Sequence, residues 1–65
     1  MNGHTPGPWT VEPMQEGRDV REWCCVRRAP DGRYEFEGMK DGRGQLRTFD
    51  SQAAAYVAIA GAEAS

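Results

Sequence analysis

Residues 20–37, with the sequence VREWCCVRRAPDGRYEFE, decide the fold. The first half of this stretch is rich in β-branched and aromatic residues and contains neither Gly nor Pro, which is typical of a strand. The Pro-Asp-Gly sequence at 30–32 suits a type I turn followed by a left-handed glycine. We therefore predict a hairpin whose register places Ala29 opposite Arg33.

This register sorts the side chains of the hairpin onto two faces, because successive residues of a strand point to opposite sides. One face is predicted to carry Cys24, Val26, Tyr34 and Phe36. The other face is predicted to carry Trp23, Cys25, Arg27, Arg33, Glu35 and Glu37. We expect the first face to form the core and the second to remain open.

Shorter elements lie on both sides of the hairpin. Residues 9–12 alternate apolar and polar side chains, as a short strand does, and residues 45–49 are predicted to form the last strand. Asp50 or Ser51 can cap a C-terminal helix that runs from residue 51 to about residue 63. The helix stripe expected to face the sheet consists of Ala53, Tyr56, Val57 and Ala60, with Ile59 beside it.

Four strands followed by one helix predict an α+β fold of the order β-β-β-β-α. The sheet is antiparallel, with three to four strands, and the helix packs on one of its faces. A chain of 65 residues has room for one domain, so residues 1–65 are assigned to a single domain. Residues 1–8, with prolines around a glycine, are predicted to be an extended or mobile N-terminal arm.

Charge and hydropathy favour some partners over others. The 8 basic and 10 acidic residues give a net charge of −2, whereas nucleic-acid binders usually carry a basic excess. No segment approaches the roughly 20 apolar residues of a membrane span, and the N-terminus does not resemble a signal peptide. We therefore expect a protein of the cytoplasm that does not contact a membrane.

Few residues are suited to catalysis or metal binding. The adjacent Cys24 and Cys25 lack the spacing of zinc ligands and are poorly placed to bridge each other, so one buried and one surface thiol are expected. His4 is the only histidine, and no nucleophile or acid in a recognisable motif accompanies it. We expect no enzymatic activity, no metal and no cofactor.

The predicted binding site combines Arg with Trp. Its candidate residues are Arg21, Trp23, Arg27 and Arg33 on the open face, joined by Trp9 from the N-terminal segment. A Trp flanked by Arg can stack on an aromatic group while the guanidinium groups bind phosphate or carboxylate. In the alternative arrangement, the segment that contains Trp9 folds over Trp23 and buries it, and nearby glutamates neutralise the arginines.

Two resemblances bear on function. The motif HTPGPW at residues 4–9 and the segment AAYVAIA at 54–60 resemble the two ends of small phage and prophage proteins. This resemblance covers roughly a third of the chain and implies a phage origin. Residues 23–60, with RTFDSQAA at 47–54, resemble the three-strand-plus-helix DNA-binding domains of plant ethylene-response factors and phage integrase arms.

The DNA-binding resemblance implies that Arg21, Trp23, Arg27 and Arg33 read DNA from the open face. Glu35 and Glu37 on that face depart from this pattern, and an acidic chain forgoes the phosphate contacts that dominate DNA affinity. The leading hypothesis is therefore a phage-encoded, non-enzymatic module that binds a host protein involved in defence or regulation. A homodimer is compatible with it. The alternatives are a DNA-binding module and a structural phage accessory protein.

Overall fold

The computed structural model describes residues 7–30 and 32–64. Its elements are β1 (Thr10–Pro13), β2 (Trp23–Arg28), β3 (Phe36–Gly38), β4 (Thr48–Phe49) and the helix α1 (Gln52–Ala64). The strands form one antiparallel sheet and α1 packs on it, which confirms the predicted α+β class. Among the described residues, no helix has both the length and the apolar character that crossing a membrane requires.

Strand β2 is the centre of the sheet. Strand β1 pairs with one edge of β2 over residues 23–26. On the other edge, β4 pairs with residues 23–24 and β3 with residues 26–28. The longest uninterrupted run of strand-forming residues therefore holds the other three strands, none of which exceeds four residues.

The register of the hairpin differs by two residues from the prediction. Arg27 pairs with Glu37, and the amide of Ala29 donates a hydrogen bond of 3.3 Å to the carbonyl of Glu35. The connection between the strands is therefore longer than predicted, although Gly32 has the predicted left-handed conformation, with a φ of 73°. The longer loop lets Arg27 form an ion pair with Glu37. A shift of two residues leaves the partition between the faces unchanged.

The helix covers the face that was predicted to be open, and that prediction is wrong. Cys25 is fully buried, and its thiol lies 3.6 Å from the carbonyl oxygen of Ala55 in α1. Strand alternation puts Trp23 and Arg27 on the same face as Cys25. The buried core cluster consists of Cys25, Met39, Phe49, Ala55 and Ile59.

The other strands explain why the helix packs on this face. Val11 lies opposite Cys25, and Phe49 lies opposite Trp23, so both strands add apolar side chains to the same side. Trp9 and Val11 pack against the core cluster. The total apolar surface contributed by all strands is therefore larger on the Cys25 side, which favours its burial. The hairpin alone does not indicate this difference.

Helix α1 begins as expected but presents a different stripe to the sheet. The Ser51 hydroxyl oxygen accepts a 3.1 Å hydrogen bond from the amide of Ala54, which confirms the predicted cap. Ala55 and Ile59 are buried, whereas Tyr56 and Val57 are exposed, so the predicted stripe is wrong. An alanine-rich helix is apolar on every side, and its hydrophobic pattern therefore does not specify the buried side.

Candidate protein-binding surface

The residues of the predicted binding site lie in different parts of the structure. Trp9, Trp23 and Arg27 are half-buried on the helix-covered face. Arg21 precedes β2 and is exposed, 3.4 Å from the carboxylate of Asp19. Arg33 is exposed in the loop beyond the other end of β2, a strand that spans about 20 Å. Arg21 and Arg33 therefore lie beyond opposite ends of β2.

Trp9 and Arg27 contact each other across neighbouring strands. The guanidinium carbon of Arg27 lies 4.4 Å from the centre of the Trp9 ring, and its Nε donates to a carboxylate oxygen of Glu37. Trp9 therefore stacks on Arg27, and Glu37 neutralises this arginine, as the alternative arrangement expected of the nearby glutamates. The Arg27 charge is satisfied within the chain by an aromatic ring and a carboxylate, which leaves it little capacity to bind a partner.

The face of the sheet away from α1, here called the open face, has a different composition. Strand alternation assigns to it Thr10, Glu12, Cys24, Val26, Arg28, Phe36 and Thr48. Helix α1 contacts β1, β2 and β4 from the other side, and no other described helix or strand packs over the open face, although Cys24 within it is buried. Phe36 is consequently 52% exposed.

Gly38 and Leu46 extend the apolar part of the open face. Gly38 pairs with Val26, so a side chain at position 38 would point to the open face. That space is taken by Leu46, since a Cβ atom on Gly38 would collide with its Cδ1. Val26, Phe36 and Leu46 therefore surround Gly38, and these three side chains are called the apolar patch.

The hairpin at residues 39–47 brings Leu46 to the patch. Lys40 and Leu46 form a bridge, and the amide of Asp41 donates to the carbonyl of Gln45 at 2.7 Å. The Asp41 carboxylate accepts hydrogen bonds from the amides of Gln45 (3.0 Å) and Arg43 (2.8 Å). These backbone bonds, that from Gln45 first, lower the pKa of the Asp41 carboxyl and stabilise its ionised form.

A shallow groove runs beside the apolar patch. It has a volume of about 320 Å³ and is lined by Thr10, Glu12, Val26 and Phe36. The groove therefore offers an aromatic ring and an aliphatic side chain next to a carboxylate. Such a site suits an apolar side chain that is followed by a basic one.

Both cysteines are buried, which corrects the expectation of one surface thiol. Burial, followed by the charge of Glu12, raises the pKa of the Cys24 thiol. Burial also raises the pKa of the Cys25 thiol, with a further contribution from Cys24 and a partial opposing effect from Arg47. Raised pKa values keep both thiols protonated near neutral pH, a state that is unfavourable for nucleophilic chemistry.

Metal binding finds no support in the residues that the structure describes. Residues 7–30 and 32–64 contain no group of three His, Cys, Asp or Glu side chains placed to hold an ion. His4 lies outside the described residues.

Phe36 and Leu46 were not among the residues that the sequence assigned to binding. Phe36 was expected to be buried, and Leu46 was placed in a strand without a functional role. The signal that identifies them is the glycine opposite Val26, which becomes informative only with the observed register. Comparison with protein-family models, with curated proteins and with solved structures finds no match to this chain.

Proposed function

We propose that this chain is a small, non-enzymatic protein-binding module that docks its partner on the apolar patch. The observation that carries the proposal is the half-exposed ring of Phe36, which borders Val26 and Leu46 on a face that no described element covers. Contiguous exposed apolar surface with a polar surround marks interaction sites, and aromatic anchors are enriched among residues that dominate binding energy.

The groove specifies the chemistry of the partner. An apolar side chain seated on Phe36 and Val26 would place its neighbours beside Glu12, which is exposed. The partner segment therefore combines an apolar side chain with Lys or Arg. The resemblance of both ends of the chain to phage proteins supports a partner in the host cell, and interference with host defence or regulation is the role proposed for the complex.

No observation favours DNA binding as a second function. Trp23 and Arg27 share the helix-covered face with Cys25 by strand alternation, and Arg27 is paired with Glu37. The open face carries both Glu12 and Arg28, so it lacks the basic excess that phosphate contacts require.

A capture experiment with matched variants tests the proposal. The chain is immobilised and exposed to a lysate of the host bacterium, and bound proteins are compared between the wild type, Phe36→Lys and Tyr56→Lys. Phe36 and Tyr56 are aromatic residues of similar exposure, but Tyr56 lies on the helix. We expect a protein captured by the wild type and by Tyr56→Lys to be lost with Phe36→Lys.

Circular dichroism establishes that each variant is folded before capture is scored. Capture that is equal for the wild type and Phe36→Lys would show that the apolar patch is not the binding site. The absence of any captured protein, with the lysate at cellular concentration, would likewise contradict the proposed function.

A further inference from the structure

Helix α1 carries a second apolar surface, on the side that points away from the sheet. Tyr56 is 59% exposed and Val57 is 72% exposed. With 3.6 residues per turn, three alanines share their side of the helix. The outer stripe, as this surface is called here, consists of Ala53, Tyr56, Val57, Ala60 and Ala64. A helix that is apolar on both sides is typical of a position between two packed layers.

We propose that a second copy of this chain covers the outer stripe, with the two helices antiparallel across a twofold axis. The stripe has its large side chains, Tyr56 and Val57, in the first half of the helix and small ones, Ala60 and Ala64, in the second half. An antiparallel pair centred near residue 58 therefore packs Tyr56 of each copy against the small Ala60 of the other. A twofold interface requires this kind of self-complementary surface.

The charge distribution of α1 also favours the antiparallel pair. Glu63 is the one charged residue of the helix, and the first turn has no acidic residue, although Asp50 is exposed two residues before the helix begins. A carboxylate in the last turn is unfavourable for its own helix, because that end carries the negative pole of the helix dipole. In an antiparallel pair, Glu63 of each copy lies beside the positive first turn of the other. A parallel pair would instead place two Glu63 carboxylates side by side.

The size of the contact sets the strength of the dimer. A helix of 13 residues is about 20 Å long, so one helix pair buries less than the roughly 800 Å² per partner of a standard interface. We therefore expect dissociation in the micromolar to millimolar range. The dimer has the layer order sheet, helix, helix, sheet, and both open faces remain accessible. Self-association is thus independent of the proposed function.

Sedimentation equilibrium over a concentration series tests the dimer. The mean mass of the wild type is expected to rise from that of one chain to that of two as concentration increases. Val57→Lys is expected to weaken association by tenfold or more, since it places a charge at the centre of the contact. Ala54→Lys is the matched control, because Ala54 is exposed on the same helix but lies off the outer stripe.

Glu63→Lys tests the orientation of the helices. A basic residue in the last turn stabilises the isolated helix, so thermal unfolding of the dilute monomer should move to higher temperature. The same change places a positive charge beside the partner's positive first turn and is expected to weaken association about threefold or more. Only the antiparallel arrangement predicts both results together, a more stable monomer and a weaker dimer.

Three results would overturn the inference. A monomer mass maintained to millimolar concentration excludes the dimer. Equal association of the wild type and Val57→Lys, with both folded by circular dichroism, excludes the outer stripe as the contact. Association of Glu63→Lys that is unchanged or tighter than that of the wild type excludes the antiparallel orientation.

Discussion

The two faces of β2 carry side chains of similar character, yet α1 covers only one of them. Cys25 is fully buried beneath the helix, whereas Val26 borders the exposed ring of Phe36 on the open face. The short strands beside β2 account for the difference, because they add Val11 and Phe49 to the Cys25 side. The equivalent neighbours on the open face are polar: Thr10, Glu12 and Thr48. Short edge strands can therefore decide which side of a small sheet becomes the core.

Replacement of one phenylalanine on each face is the most demanding test of this difference. Phe49→Ala is expected to cost about 3–5 kcal/mol of unfolding free energy, because Phe49 is only 7% exposed and removal of its ring leaves a cavity. A domain of this size has a stability of roughly that magnitude, so the variant should be largely unfolded. Phe36→Ala should cost about 1 kcal/mol or less, since its ring is half exposed.

Urea unfolding followed by far-ultraviolet circular dichroism measures both costs. Equal losses for the two variants would mean that the open face is buried as deeply as the helix-covered face.

The close approach of Leu46 to Gly38 predicts a smaller effect, confined to the open face. Gly38→Ala should destabilise by about 1 kcal/mol, because the new methyl group displaces the Leu46 side chain. In a Leu46→Ala background the same change should cost nothing, which gives a coupling of about 1 kcal/mol in a double-mutant cycle. Gly42→Ala is the control, since no atom lies within 4 Å of a Cβ at that position.

The cycle is measured by urea unfolding of the four proteins. Additive effects of Gly38→Ala and Leu46→Ala would contradict the placement of Leu46 over the glycine.

The smallest expected effect is a loss of stability at alkaline pH that arises from the two thiols. The folded chain holds both thiol pKa values above the ordinary 9.0, mainly by burial. The unfolded chain therefore releases these protons at lower pH than the folded chain does. The stabilising contribution is complete below pH 9.0 and is lost as the pH rises through the raised pKa values.

Comparison with cysteine variants isolates this effect from other titrating groups. The free energy of unfolding of Cys24→Ala and of Cys25→Ala should decline less steeply above pH 9.0 than that of the wild type. The same slope in all three proteins would mean that the thiols titrate alike in the folded and unfolded chains.

The sequence predicted the order of elements, the helix cap and the two sets of hairpin side chains. These features were predictable because strand alternation and the Ser51 cap depend only on residues that are close together in the sequence. The left-handed conformation predicted for Gly32 was likewise confirmed, because glycine adopts a positive φ without steric cost.

The choice of covered face was not predictable from the hairpin, because it depends on strands distant in sequence. Phe49 reaches the core only through its pairing with Trp23, and Leu46 reaches the apolar patch only through the turn at Asp41. The helix stripe was equally ambiguous, because Ala53 and Ala55 are the same residue type and packing alone distinguishes them. For the same reason, the predicted orientation of Trp23 and Arg27 toward an open face was wrong.

The excursion of the chain between β3 and β4 has a consequence for engineering. Both strands pair with the same edge of β2, so the chain leaves that edge at Gly38 and returns to it at Thr48. The tip of the excursion at residues 42–44 is exposed, and its two ends are held together by the Lys40–Leu46 bridge and by the hydrogen bond from the amide of Asp41 to the carbonyl of Gln45. Peptide inserted at that tip would lengthen a loop whose two ends are already held together, which costs little closure entropy. The position is therefore suited to display of a foreign epitope without disturbance of the core.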